Sequence, residues 1–145
     1  MNKPLYEEDF FAWTQTQADV LRRRSANEID WDNLQEEVES LGRQQRSELT
    51  SHLTVLLSHL LKWDHQPDRR SRSWALTVAE QRVQADRVLR QNPSLTSQIA
   101  DVVADAFKVA RLRAARETRQ SVKVFPTQSP YDWQAAMTRP VEWDD

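Results

Sequence analysis

Three groups of side chains have the types and spacing to do chemistry. Glu48 and His52 stand one helical turn apart, and His59 lies two turns further along the same side. Such a stripe of carboxylate and imidazole can ligate zinc or iron. Di-iron bundles, however, build their centre from paired Glu-x-x-His motifs on two helices. No Glu-x-x-His occurs here, and the third and fourth predicted helices lack histidine, so no metal or cofactor is expected. The second group, Glu36, Glu37 and Glu39, resembles a glycosidase carboxylate pair only if it faces a groove. Solvation of an acidic helix face is the plainer reading. The third group is Arg69, Arg70 and Arg72, between Trp63 and Trp74. Arginine beside aromatics can grip phosphate and stack on bases. The opposing reading pairs Arg70 and Arg72 with Glu36, Glu37 or Glu39, pinning the loop to the body of the fold.

Other chemistries are excluded by composition. One glycine cannot build a phosphate-cradling loop or a serine nucleophile elbow. The absence of cysteine removes disulfides, thiolate metal sites and thiol nucleophiles. Net charge is −2 over 145 residues, but it is unevenly spread. Residues 1–60 carry 6 basic and 11 acidic side chains, whereas residues 61–120 carry 12 basic and 7 acidic. Halves that attract each other are the plain explanation; a basic face for a polyanion is the sharper one.

These groups need elements to position them, and the organising one is Leu49–Trp63, LTSHLTVLLSHLLKW. Its leucines point nearly all round a helical wheel, the mark of a buried helix. It is too short and too interrupted by histidine to span a bilayer. His59 is therefore expected in the core, with partners from Glu36, Glu37 or Glu39 of another copy, or from Arg82 and Glu80. One glycine and abundant Ala, Leu, Arg, Glu and Gln favour helix throughout. The first helix is predicted over 5–24, with Phe10, Trp13, Val20 and Leu21 as its stripe and Gln17 interrupting it. Arg22, Arg23 and Arg24 suit its negative C-terminal end. The second runs over 30–63 from an Asp30 N-cap, with Trp31, Leu34, Val38 and Leu41 as its inward seam. It continues through Gly42, taken as a close helix contact or a kink. Helices over 73–91 and 94–118 follow the Pro67 loop and Asn92-Pro93. An extended arm, 120–145, lies along the bundle and covers a groove, with room for a short turn of helix near Asp132–Met137.

Several motifs together resemble the Domain of Unknown Function 29 family. They are Tyr6-x-x-Asp9-Phe10-x-x-Trp13, Asn33-Leu34-x-Glu36-Glu37-x-Glu39-Ser40-Leu41-Gly42 and His59-Leu60-Leu61-Lys62-Trp63. Gln66-Pro67-x-x-Arg70-x-x-Ser73-Trp74, Pro93-Ser94-Leu95, Glu117-Thr118 and Phe125-Pro126 complete the set in order. The resemblance implies a small helical bacterial protein, chiefly cyanobacterial, and no established activity, cofactor or catalytic residue. The family pattern has a cysteine before Pro130-Tyr131 where this chain has Ser129, so a thiol-based role is not implied. The resemblance also concentrates attention on one helix–loop–helix corner. The candidate cluster there is Glu36, Glu37, His59, Lys62, Gln66, Arg70, Ser73 and Trp74.

The expectation is thus one all-α domain, 1–145, a four-helix bundle-like fold around a long central helix with an extended C-terminal arm. The N-terminus lacks a signal-like apolar run, so a soluble cytoplasmic protein is the default. The functional expectation is a non-enzymatic interaction or adaptor domain with a protein partner, and no association with membrane. Two alternatives stand beside it: a small enzyme or ligand-binding protein using the Glu/His/Arg cluster, and a nucleic-acid-associated protein using the basic loop 69–72.

Overall fold

The computed structural model describes residues 5–144. It is all-α: six α-helices and no strand among the described residues, arranged around one long helix. The helices are α1 (Leu5–Glu8), α2 (Phe10–Arg23), α3 (Trp31–His65), α4 (Arg72–Gln91), α5 (Ile99–Thr118) and α6 (Trp133–Thr138). Short 3-10 turns join them. The chain divides into two compact units, the first ending at Arg43 and the second beginning at Gln44.

In the first unit the helix expected over 5–24 is divided at Asp9. Its carboxylate accepts from the Ala12 N–H as an N-cap, so a fresh helix starts one residue later. α2 ends at Arg24 in the left-handed region (φ 57°), while Arg23 pairs with Asp19 and Glu28. The polar residue in the α2 stripe has a clear purpose. Buried Gln17 accepts the Asp30 N–H at 2.9 Å, and Trp13 Nε1 donates to Asp30 Oδ2 at 3.1 Å. Tyr6 donates to Glu37, and its ring meets Trp13 edge-on at 4.8 Å.

Those bonds correct the expected seam of α3. Helices α1 and α2 hydrogen-bond to Asp30, just before α3, and to Glu37 within it, not along the apolar row Trp31, Leu34, Val38 and Leu41. Trp31, Val38 and Leu41 are 62%, 60% and 60% exposed, and Leu34 is half-buried. α3 continues unbroken through Gly42 as expected. Yet a Cβ there would meet nothing within 4 Å, so the glycine makes no close contact among the described residues.

In the second unit the leucine rod is sealed. Leu49, Leu53, Leu56, Leu57, Leu60 and Leu61 have no exposed surface. They pack with Val78, Ala85 and Val88 of α4 and with Val102, Ala106, Phe107 and Ala110 of α5. Each buried leucine contributes about 2 kcal/mol of transfer free energy. The arm seals the remaining side with Phe125, Tyr131 and Ala136. Arginines anchor it: Arg82 donates to the Ala136 and Arg139 carbonyls, and Arg111 donates to the Phe125 carbonyl. Arg139 reaches Asp64 at 2.5 Å.

Candidate functional site

The corner after the rod is built on Lys62, whose surface is 6% exposed although its head is charged. An ammonium so placed needs partners around its donors. Its Nζ donates to Glu117 Oε2 at 2.7 Å, lies 3.4 Å from His59 Nε2, and sits 5.0 Å above the Trp74 ring. One cation thereby ties α3 to α4 and α5. His59 Nδ1 is 2.8 Å from the Val55 carbonyl, which fixes the proton on Nδ1 and leaves Nε2 to accept. Burial, opposed by that carbonyl and reinforced by the Lys62 charge, holds the imidazole below its ordinary pKa. Burial would raise the Glu117 carboxyl, but the Lys62 hydrogen bond and charge outweigh it and hold the group below the usual carboxylate range.

The expected partners of His59 are thus replaced. Arg82 is spent on the arm, and His59 turns to its own helix and to Lys62. The reason is local: a histidine reaches the carbonyl four residues back more readily than a neighbouring helix. Half-buried, His59 is less enclosed than the leucines beside it.

The other predicted residues separate into distinct settings. Arg70 donates to the Trp63 carbonyl at 2.9 Å and lays its guanidinium 4.8 Å from the Trp63 ring. It does not pair with the acids of α3. Glu36 binds Arg43 at 2.7 Å, and Glu37 takes the Tyr6 hydroxyl, whose pKa that hydrogen bond pushes up to about 12. Gln66 precedes the 3-10 turn Pro67–Arg69, and exposed Ser73 lies in the first turn of α4, where Ser71 supplies the N-cap. His59, Lys62 and Trp74 therefore share one site; Glu36 and Glu37 bond elsewhere. Sequence reasoning left out Glu117 from the site, although Glu117-Thr118 is itself one of the motifs.

The stripe Glu48, His52 and His59 also parts. His52 Nδ1 is 2.8 Å from Gln81 Oε1, and Glu48 binds Arg87 at 2.9 Å. Among the described residues no group of three or more His, Cys, Asp or Glu is placed to hold a metal ion. No helix among them is long and apolar enough to cross a membrane.

The side chains that carry the motifs are largely each other's partners: Tyr6 with Glu37, Trp63 with Arg70, and His59, Lys62, Trp74 and Glu117 together. The model of the domain of unknown function DUF29 matches residues 5–140. The chain belongs to the DUF29 family. Among curated proteins and among solved structures, nothing matches. The corner common to these DUF29 motifs is held by one ion pair, Lys62–Glu117, with His59 and Trp74 against the ammonium, which suits it to fixing helices. Among the described residues of this DUF29 chain, the α3 row in the first unit is one of the apolar features left exposed.

Proposed function

We propose that the chain is a protein-interaction module that docks a partner helix on the apolar row of α3. The exposure of Trp31, Val38 and Leu41 carries this reading. Their spacing, with Leu34 between, is that of a coiled-coil seam, the pattern one helix offers another. A monomeric soluble protein rarely leaves such a contiguous row in water. Trp31, Leu34, Gln35, Val38 and Glu39 border a shallow, open pocket on this face.

Charge selects the partner. Residues 1–43 carry 10 acidic and 5 basic side chains, and Glu39 borders the pocket. An amphipathic helix with Lys or Arg beside its apolar stripe complements this face, whereas a second copy would set like charges together. Gly42 adds a further support. A mid-helix glycine costs about 1 kcal/mol against alanine, and no contact among the described residues requires it. A partner backbone passing close beside Leu41 does.

The test uses the full chain and a synthetic amphipathic peptide with a leucine stripe flanked by lysine. Titration by fluorescence anisotropy should show saturable binding that weakens with salt. Serine at positions 31, 38 and 41 should reduce affinity at least tenfold. Equal binding by the triple variant, or self-association through the same three residues, defeats the reading.

A further inference from the structure

A second site, independent of the α3 surface, lies in the second unit between α5 and the arm. It is a cavity of about 700 Å³, within the range of small-molecule pockets. Its floor follows one face of α5 for nearly three turns. Ile99, Val103 and Phe107 form one row of that face; Ala100, Ala104 and Lys108 form the next. The two alanines leave room where larger side chains would close the trough. From residue 99 to residue 108 the helix rises about 14 Å, so the floor is long as well as apolar.

The opposite wall is tied by its own hydrogen bonds at Tyr131, Ser129 and Asp132, while Thr127, Gln128 and Gln134 add exposed polar side chains to the rim. Tyr131 donates to Asp64 Oδ2 at 2.5 Å and lies 3.1 Å from the Leu60 carbonyl. Ser129 Oγ is closed onto the Tyr131 backbone, at 3.1 Å from its N–H and 2.6 Å from its carbonyl. The Asp132 carboxylate accepts the Ala135 N–H at 2.8 Å as the N-cap of α6. Trp133 adds an aromatic face. Lys108 stands apart, because it forms no ion pair among the described residues.

The geometry points to a binding site for an amphiphile with a medium-length alkyl chain and an anionic head, the chain along Ile99–Phe107 and the head at Lys108. The length of the trough suits an extended chain, and its apolar floor rejects a polar body. The uncommitted ammonium selects the sign of the head, since an anion there gains a charge-assisted hydrogen bond.

Decanoate below its micellar concentration is the probe, titrated calorimetrically into the full chain. Binding should be saturable and one to one, and at least tenfold tighter than that of decylamine. Lys108→Glu should weaken decanoate at least tenfold, and Ala104→Trp should abolish its binding with little change in melting temperature. Ala104 is exposed, so the larger ring fills the trough rather than the core. If Ala104→Trp does not fold, Lys108→Glu alone decides. Absence of saturable binding, equal affinity for decylamine, or decanoate binding indifferent to Lys108→Glu overturns the assignment.

Discussion

An ammonium that is almost wholly enclosed behaves as a structural bolt when each of its contacts is supplied by the fold. Lys62 meets that description, with Glu117, His59 and Trp74 around it. Replacing it with methionine keeps the volume but leaves His59 Nε2 without its donor and Glu117 without its cation. Glu117 is 42% exposed at its side chain, so water recovers part of the loss. Lys62→Met should therefore cost about 1–3 kcal/mol in urea unfolding; a cost near zero would remove the bolt from the account. His59 predicts a pH effect of defined sign. Its folded pKa lies below the ordinary 6.5, so unfolding takes up a proton once the pH falls through that value. Stability is full above about pH 6.5 and declines below it, and Glu117 adds loss in the same direction at more acid pH. His59→Gln should flatten the upper part of that decline in a series of melting curves. At this scale the sequence was informative about which residues come together: His59, Lys62 and Trp74 do meet. It was silent on Glu117 as the counter-ion, because a partner 55 positions away leaves no spacing signal.

Within one element, α3 carries two environments. Toward Trp63 its leucines are sealed on every side; toward Trp31 its apolar row faces water. The same class of substitution should thus have very unequal consequences along a single helix. Leu57→Ala should destabilise by about 2–5 kcal/mol through the cavity it leaves. Val38→Ala should change stability by no more than about 0.5 kcal/mol. Thermal and chemical unfolding of both variants checks the contrast, and comparable losses would mean that the row is covered. Gly42→Ala should stabilise the isolated chain by about 1 kcal/mol, since the added methyl meets open space and alanine favours helix. The same change should weaken peptide docking if a partner backbone approaches there. The rod was legible because apolarity all round a helix has one interpretation. The seam was misread because periodicity identifies an apolar row but not what covers it. Tyr6 and Trp13 donate to Glu37 and Asp30, and Gln17 accepts the Asp30 N–H; these bonds turn the polar side at the start of α3 toward α1 and α2, and they depend on pairings 13 to 31 positions apart.

At the scale of the whole molecule, the polar side chains of the family motifs are mostly consumed in holding elements, while two exposed features, one in each unit, are apolar. The first unit presents the α3 row with acidic surroundings. The second presents the trough between α5 and the arm, beside Lys108. The all-α class and the DUF29 membership followed directly from composition and ordered motifs. The trough did not, because it depends on how the arm is clamped by Arg82, Arg111 and the Asp64–Arg139 pair. The central claim is that the α3 row stands uncovered and available to a partner. Since the chain has no cysteine, Val38→Cys and Leu57→Cys each create a single thiol whose labelling rate reports its accessibility. In the full chain without partner, the thiol at position 38 should react at nearly the rate of a free peptide thiol, and that at position 57 at least a hundredfold more slowly. Equal protection of the two would contradict the account.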